Sequence, residues 1–162
     1  MNIGLIGLGY WGKNILRNLI TNDQVLKVYV YDIRLKKTGI KKNISYINNK
    51  KIFFSSDIDI FIITTPTRSH FSLIRDCLKL NKIVCVTKPF VSKPSEVIYL
   101  EKNFKTLNKI FLDHTYLFHS SVRYLKSLVD NKKLGKLIYY DSERISFGKF
   151  YNDVDVIDDL AV

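Results

Sequence analysis

The chain has 162 residues, 46% hydrophobic and 25% charged, with a formal net charge of +11 at pH 7. That length suits one ordinary domain and the opening of a second. The composition excludes a disordered chain, and no apolar run approaches the roughly 18–20 residues of a membrane span.

The pattern alternates strand and helix from the start. Ile3-Gly4-Leu5-Ile6 is a short apolar run ending at glycine, as a buried strand does. Met1-Asn2-Ile3-Gly4 has no basic leader, so no signal peptide is expected and the expected location is the cytoplasm. Asn14 to Ile20 places apolar residues at 15, 16, 19 and 20, a helical stripe. Leu26 to Tyr31 is β-branched and aromatic, a second strand. Residues 34 to 51 are basic and polar, read as a short helix or loop before a weak strand near Ile44 to Ile47. Ile58 to Thr65 is a strand stopped by Pro66, and His70 to Leu80 a helix. Lys82 to Thr87 is a strand ended by Pro89. Pro94 sits in the first turn of a helix running to about Leu107, with Ser92 as its cap. Ile110-Phe111-Leu112 is the next strand, Ser120 to Asn131 a further helix, and Gly135 ends a turn. Lys136 to Phe147 is a long strand candidate that would expose Leu137, Ile138, Ile145 and Phe147 without a partner strand. The alternation predicts an α/β fold with a doubly wound parallel sheet. The change of pattern after Tyr116 predicts one α/β domain over 1–117 and the opening of a second domain over 118–162. The glycine motif and the resemblance below make these, as expectations, a dinucleotide-binding Rossmann domain and the truncated start of an α+β domain.

Gly7-Leu8-Gly9-Tyr10-Trp11-Gly12 fits G-x-G-x-x-G between a predicted strand and a predicted helix. The first glycine permits the turn, the second admits a pyrophosphate, and the third lets helix and strand pack. The helix N-terminus offers N–H groups to the phosphates. Asp32 ends the second strand twenty residues after Gly12, placed to accept hydrogen bonds from both ribose hydroxyls. It favours NAD over NADP. Arg34 nearby weakens that preference and leaves NADP open. A glycine turn without a ligand is the bland alternative. A triphosphate P-loop over Gly7 to Lys13 is the other, but Asn14 stands where Ser or Thr would hold magnesium.

Thr64-Thr65-Pro66-Thr67, with His70 a turn later, and Thr87-Lys88-Pro89 end two strands at the same crevice. Lys88 is either a solvated loop lysine or a group that hydrogen-bonds a ligand and shuttles a proton. His114 and His119 lack a metal-binding spacing, and Asp153, Asp155, Asp158 and Asp159 lack the glycine and glutamate of a calcium loop, so no metal is expected. Cys77 and Cys85 read as reduced, mostly buried thiols. The charge excess is mostly lysine, with arginine only at 17, 34, 68, 75, 123 and 144. Arginine is the preferred phosphate and base reader, so codon bias explains the charge better than a nucleic-acid partner.

Together these motifs resemble the Gfo/Idh/MocA oxidoreductases, the glucose–fructose oxidoreductase and inositol dehydrogenase family. The opening loop 7–14, Thr64-Thr65-Pro66-Thr67 with His70, Thr87-Lys88-Pro89 and Asp113-His114-Thr115-Tyr116 carry the likeness. The resemblance implies a nicotinamide cofactor held by Gly7, Gly9, Tyr10, Trp11, Gly12, Asp32, Arg34, Thr64, Thr65, Pro66, His70, Thr87 and Lys88. It implies Lys88 as catalytic lysine and hydride transfer to or from a sugar or nucleotide-sugar carbon. The tail 153–162 is similar to a stretch in members acting on nucleotide-linked amino sugars, which makes Asp159 a second catalytic candidate. Thr87 stands where the family carries Glu, which implies weaker cofactor binding. A homo-oligomer or a complementing C-terminal half is the implied protein partner. The alternative is an inactive nucleotide-binding fragment or half of a split enzyme.

Overall fold

The computed structural model describes residues 1–143 apart from 37 and 106. Its centre is a seven-stranded sheet in the order β3-β4-β2-β1-β5-β6-β7. The strands are β1 (Asn2–Ile6), β2 (Lys27–Tyr31), β3 (Gly39–Lys41), β4 (Ile44–Ile47), β5 (Ile60–Ile63), β6 (Ile83–Thr87) and β7 (Ile110–Asp113). Every neighbouring pair is parallel except β3 with β4, which form an antiparallel edge. The helices are α1 (Tyr10–Leu19), α2 (Lys50–Phe54), α3 (His70–Lys79), α4 (Pro94–Asn103) and α5 (Ser120–Asp130).

β1 pairs with both β2 and β5, so the chain reverses its direction of winding there. A crevice opens at such a reversal, beyond the carboxyl ends of the strands. The central strands are short, apolar runs because both faces are covered. Two clusters fill those faces. One gathers Phe53, Phe61, Ile63, Ile74, Val84 and Leu100, the other Ile3, Leu5, Leu16, Val28 and Val30.

Several boundaries differ from the sequence reading. α1 begins at Tyr10, directly inside the glycine loop, four residues before its apolar stripe. β3 lies within the stretch 34–51 read as a short helix or loop, and α2 starts at its end and runs beyond it; α2 is capped by Asn49, whose side chain accepts from the Ile52 N–H at 3.1 Å. α4 stops at Asn103, and its N-cap is Lys93 rather than Ser92. There the Glu96 carboxylate accepts the Ser92 and Lys93 N–H groups at 3.0 and 3.1 Å, satisfying the first turn from inside the helix. The expected strand over 136–147 is absent from its described part, 136–143. With no neighbouring strand to take up its N–H and C=O groups, an apolar sequence alone does not make a strand. Residues 144–147 and the aspartates from 153 on lie outside the described residues. Among the described residues no helix is long and apolar enough to cross a membrane.

Candidate functional site

The glycine loop is built by close approach. Gly7 has φ +98°, a conformation that disfavours any side chain, and its N–H donates to the Tyr31 carbonyl at 2.8 Å. A Cβ on Gly12 would collide with the carbonyl oxygen of Gly7 and lie 2.9 Å from Thr64 Oγ1. Gly9 differs: a Cβ there would meet nothing within 4 Å. The loop is therefore closed behind Gly7 and Gly12 and open over Gly9, at the N-cap of α1. No acidic residue stands in the first turn of α1 and, among the described residues, no side chain caps it. Its first N–H groups and partial positive charge face an anion-sized opening.

Asp32 follows β2 and is 8% exposed. Its Oδ2 accepts the Leu8 N–H at 2.7 Å and its Oδ1 the Arg34 N–H at 2.8 Å. Burial pushes this carboxyl up, but those two N–H donors and the Arg34 charge outweigh it and hold the acid below its ordinary value. The carboxylate is thus ionised, tied to the glycine loop, and left with further lone pairs. Arg34 Nε is 3.6 Å from Oδ1, with its side chain 77% exposed, so its ion pair is weak.

A cleft of about 550 Å³ joins these parts, lined by Leu8, Gly9, Tyr10, Lys13, Asn14, Arg17, Asp32, Arg34 and Leu35. The structure brings Gly9, Tyr10, Asp32 and Arg34 together as the sequence reading expected. Lys13, Asn14 and Arg17 were not expected there. Their signal is the spacing 10, 13, 14, 17, one exposed face of α1 turned to the cleft. Trp11 lies outside the lining, 54% exposed, its ring 5.8 Å from that of Tyr10.

The second group stands at the ends of β5 and β6. Thr64 braces the loop: its Oγ1 donates to the Gly7 carbonyl at 2.8 Å. Thr65 Oγ1 accepts from Ser69 Oγ at 2.7 Å, and Pro66 precedes a short 3₁₀ turn, Thr67–Ser69. Thr87 Oγ1 donates to the Ile63 carbonyl at 3.3 Å, and its Cα is paired with that of Asp113. Lys88 is half-buried and precedes Pro89 through a cis peptide bond. His70 is buried behind these loops, both ring nitrogens facing main-chain carbonyls. Asp159 lies outside the described residues. The two thiols are chemically quiet. Burial raises Cys77 far above its ordinary value, and burial together with Asp113 pushes Cys85 up to about 11.

A switch-point crevice, an uncapped helix behind a glycine loop and an ionised acid at the next strand end define a dinucleotide-binding Rossmann domain. The comparisons with known proteins go one step further. Residues 1–114 match the model of GFO_IDH_MocA, an oxidoreductase family with an NAD-binding Rossmann fold. The chain belongs to that family, and NAD(H) is the cofactor of the Rossmann fold formed by the matched residues. An uncharacterized oxidoreductase of Escherichia coli, YdgJ, is 30% identical over 146 residues, 88% of this chain and 42% of that protein. Myo-inositol 2-dehydrogenase of Thermotoga maritima is 26% identical over 144 residues, 84% of this chain and 42% of that one. The crystal structure of scyllo-inositol dehydrogenase from Lactobacillus casei, with bound NAD(H) and scyllo-inositol, superposes with a TM-score of 0.68 at 25% identity. That match covers 83% of this chain and 42% of the other. The chain thus spans about two fifths of the length of these relatives.

Proposed function

We propose that this chain is the cofactor-binding part of an NAD-dependent dehydrogenase acting on a hydroxyl carbon of a sugar, nucleotide sugar or related polyol. The observation that carries the proposal is the cleft bounded by the open face of Gly9 and the ionised Asp32. The N–H groups of α1 hold a diphosphate, and Asp32 accepts from the adjacent ribose diol. Bound there, the nicotinamide coenzyme supplies a hydride acceptor. Lys88, at the end of β6, hydrogen-bonds the substrate hydroxyl and takes up its proton as the carbon is oxidised. Asp159 is a second candidate for that proton path. The similarity to inositol dehydrogenases supports the polyol class.

In this reading residues 1–117 form the nucleotide domain, and 118–162 open the part that closes over substrate. The remaining substrate contacts come from a complementing C-terminal half or a second copy. Titration of the purified chain with NADH, followed by coenzyme fluorescence, tests the reading. Saturable binding, tighter than that of NADPH, is expected. No binding at millimolar coenzyme would end it. Mixing with the C-terminal half of an inositol dehydrogenase, then assaying polyol-dependent NADH formation, tests the chemistry separately.

A further inference from the structure

The cleft wall on α1 is charged in a way its own helix does not support. Lys13 and Arg17 line the cleft, and both are exposed. They stand four residues apart on one helix face, where like charges destabilise a helix. Lys13 also lies toward the positive end of the α1 dipole, where a cation is disfavoured. Nothing offsets this. The helix, Tyr10–Leu19, contains no acid. Neither cation is ion-paired to another described residue. The one acid lining the cleft, Asp32, already accepts the Leu8 and Arg34 N–H groups and stands beside the Arg34 side chain. The lining therefore holds Lys13, Arg17 and Arg34 against a single carboxylate. Side chains on a helix lean toward its N-terminus. Arg17 does so: its Nη2 donates to Asn14 Oδ1 at 3.4 Å, back along the wall toward Gly9.

We propose that Lys13 and Arg17 form a phosphate grip, two side chains that pair with the coenzyme diphosphate at its adenosine end. An anion between them turns their mutual repulsion into two attractions, and charge-assisted contacts to phosphate are the strong ones. Arginine brings a planar fork and lysine a point charge. The grip is distinct from the main-chain N–H groups at the start of α1 and from Asp32, which takes the ribose. That the anion belongs to a dinucleotide rests on the dehydrogenase reading. That the cleft face of α1 takes a phosphate rests on the charges alone.

Lys13→Gln combined with Arg17→Gln separates binding from structure. Because it removes like charges from an exposed helix face, the ligand-free melting temperature should be unchanged or higher. Its NADH affinity by calorimetry should fall about tenfold or more. The dependence of that affinity on salt, between about 20 and 500 mM, should flatten. Lys13→Arg combined with Arg17→Lys keeps both charges and should bind NADH nearly as wild type does. Inorganic pyrophosphate is the second probe: it should raise the melting temperature of wild type but not of the glutamine variant. NADH affinities within about twofold for wild type and the glutamine variant would overturn the proposal. So would equal protection of both by pyrophosphate. A glutamine variant that loses ligand-free stability along with affinity would give the pair a structural role, and that also overturns it. If NADH fails to bind wild type while pyrophosphate still protects wild type alone, the dehydrogenase reading falls and the grip stands. If neither ligand acts on wild type, both fall.

Discussion

Gly12 has no room for even one carbon, because the Gly7 carbonyl occupies the place where Cβ would stand. Gly12→Ala must push the start of α1 away from the loop, and overpacking of this kind costs about 1–3 kcal/mol. Both a lower urea midpoint and a loss of NADH affinity of about tenfold or more are expected. Gly9→Ala separates fold from function: its Cβ enters open space, so stability should hold while NADH affinity drops. Equal NADH titrations for Gly9→Ala and wild type would show that the diphosphate does not lie there. Asp32 makes a prediction in pH. Its folded-state acidity is greater than that of an unstructured aspartate, so ionisation stabilises the fold above about pH 4. That contribution fades as pH falls through the lowered folded value. Asp32→Asn should lower the melting temperature near neutrality, since hydrogen bonds to a charged group are worth about 1.5–3 kcal/mol. The gap from wild type should close in acid; a constant gap between about pH 3 and 7 would contradict the assignment. At this scale the sequence was most legible where the site is local. Glycine spacing and the distance to Asp32 lie along the chain. The roles of Thr64 and His70 do not, since their partners are 57 and 19 residues away.

At the scale of elements, β1, β2, β5 and β6 announce themselves by apolar runs, and α1 and α3 by their stripes. α2 has five residues, too few for a periodicity to emerge, and is fixed instead by one capping amide and one ring. Phe53 is fully buried, 5.4 Å from the Tyr31 and Phe54 rings and 5.8 Å from Phe61. Phe53→Ala should cost about 3–5 kcal/mol, whereas Asn49→Ala, which removes only the cap, should cost about 1 kcal/mol. Urea unfolding of the two variants checks the order. A larger loss for the cap would mean that α2 holds Phe53 in place rather than the reverse. β3 was illegible for a different reason: all three of its residues are exposed, and it exists because β4 offers an edge. The segment 136–143 is the converse, strand-like in composition but paired with no strand of the sheet.

The whole molecule divides unevenly between buried and bare apolar surface. The seven-stranded sheet hides its aliphatic rows on both faces, and its parallel, doubly wound character was readable from alternation because parallel strands need crossovers, whereas the strand order emerges only in the structure. Beyond β7 that economy ends. α5 carries Val122, Leu125 and Val129 along one face, each at least 38% exposed, and no residue of the helix is buried. Leu117 and Phe118, 61% and 55% exposed, stand just before it, with Phe118 tilted 6.2 Å from the Phe111 ring of β7. A helix amphipathic to this degree is made to be covered. Large contiguous apolar patches on a monomer also drive association. The 162-residue chain in isolation should therefore self-associate with rising concentration, through α5 rather than the cleft. Sedimentation velocity over a concentration series should show growing mass, and an apolar dye should bind. Leu125→Lys combined with Val129→Glu should restore the monomer and lower dye binding while leaving NADH affinity unchanged, since neither residue lines the cleft. A monomeric wild type that binds no dye at high concentration would contradict this expectation. Association that survives the double variant would place the contact elsewhere, on the sheet edges.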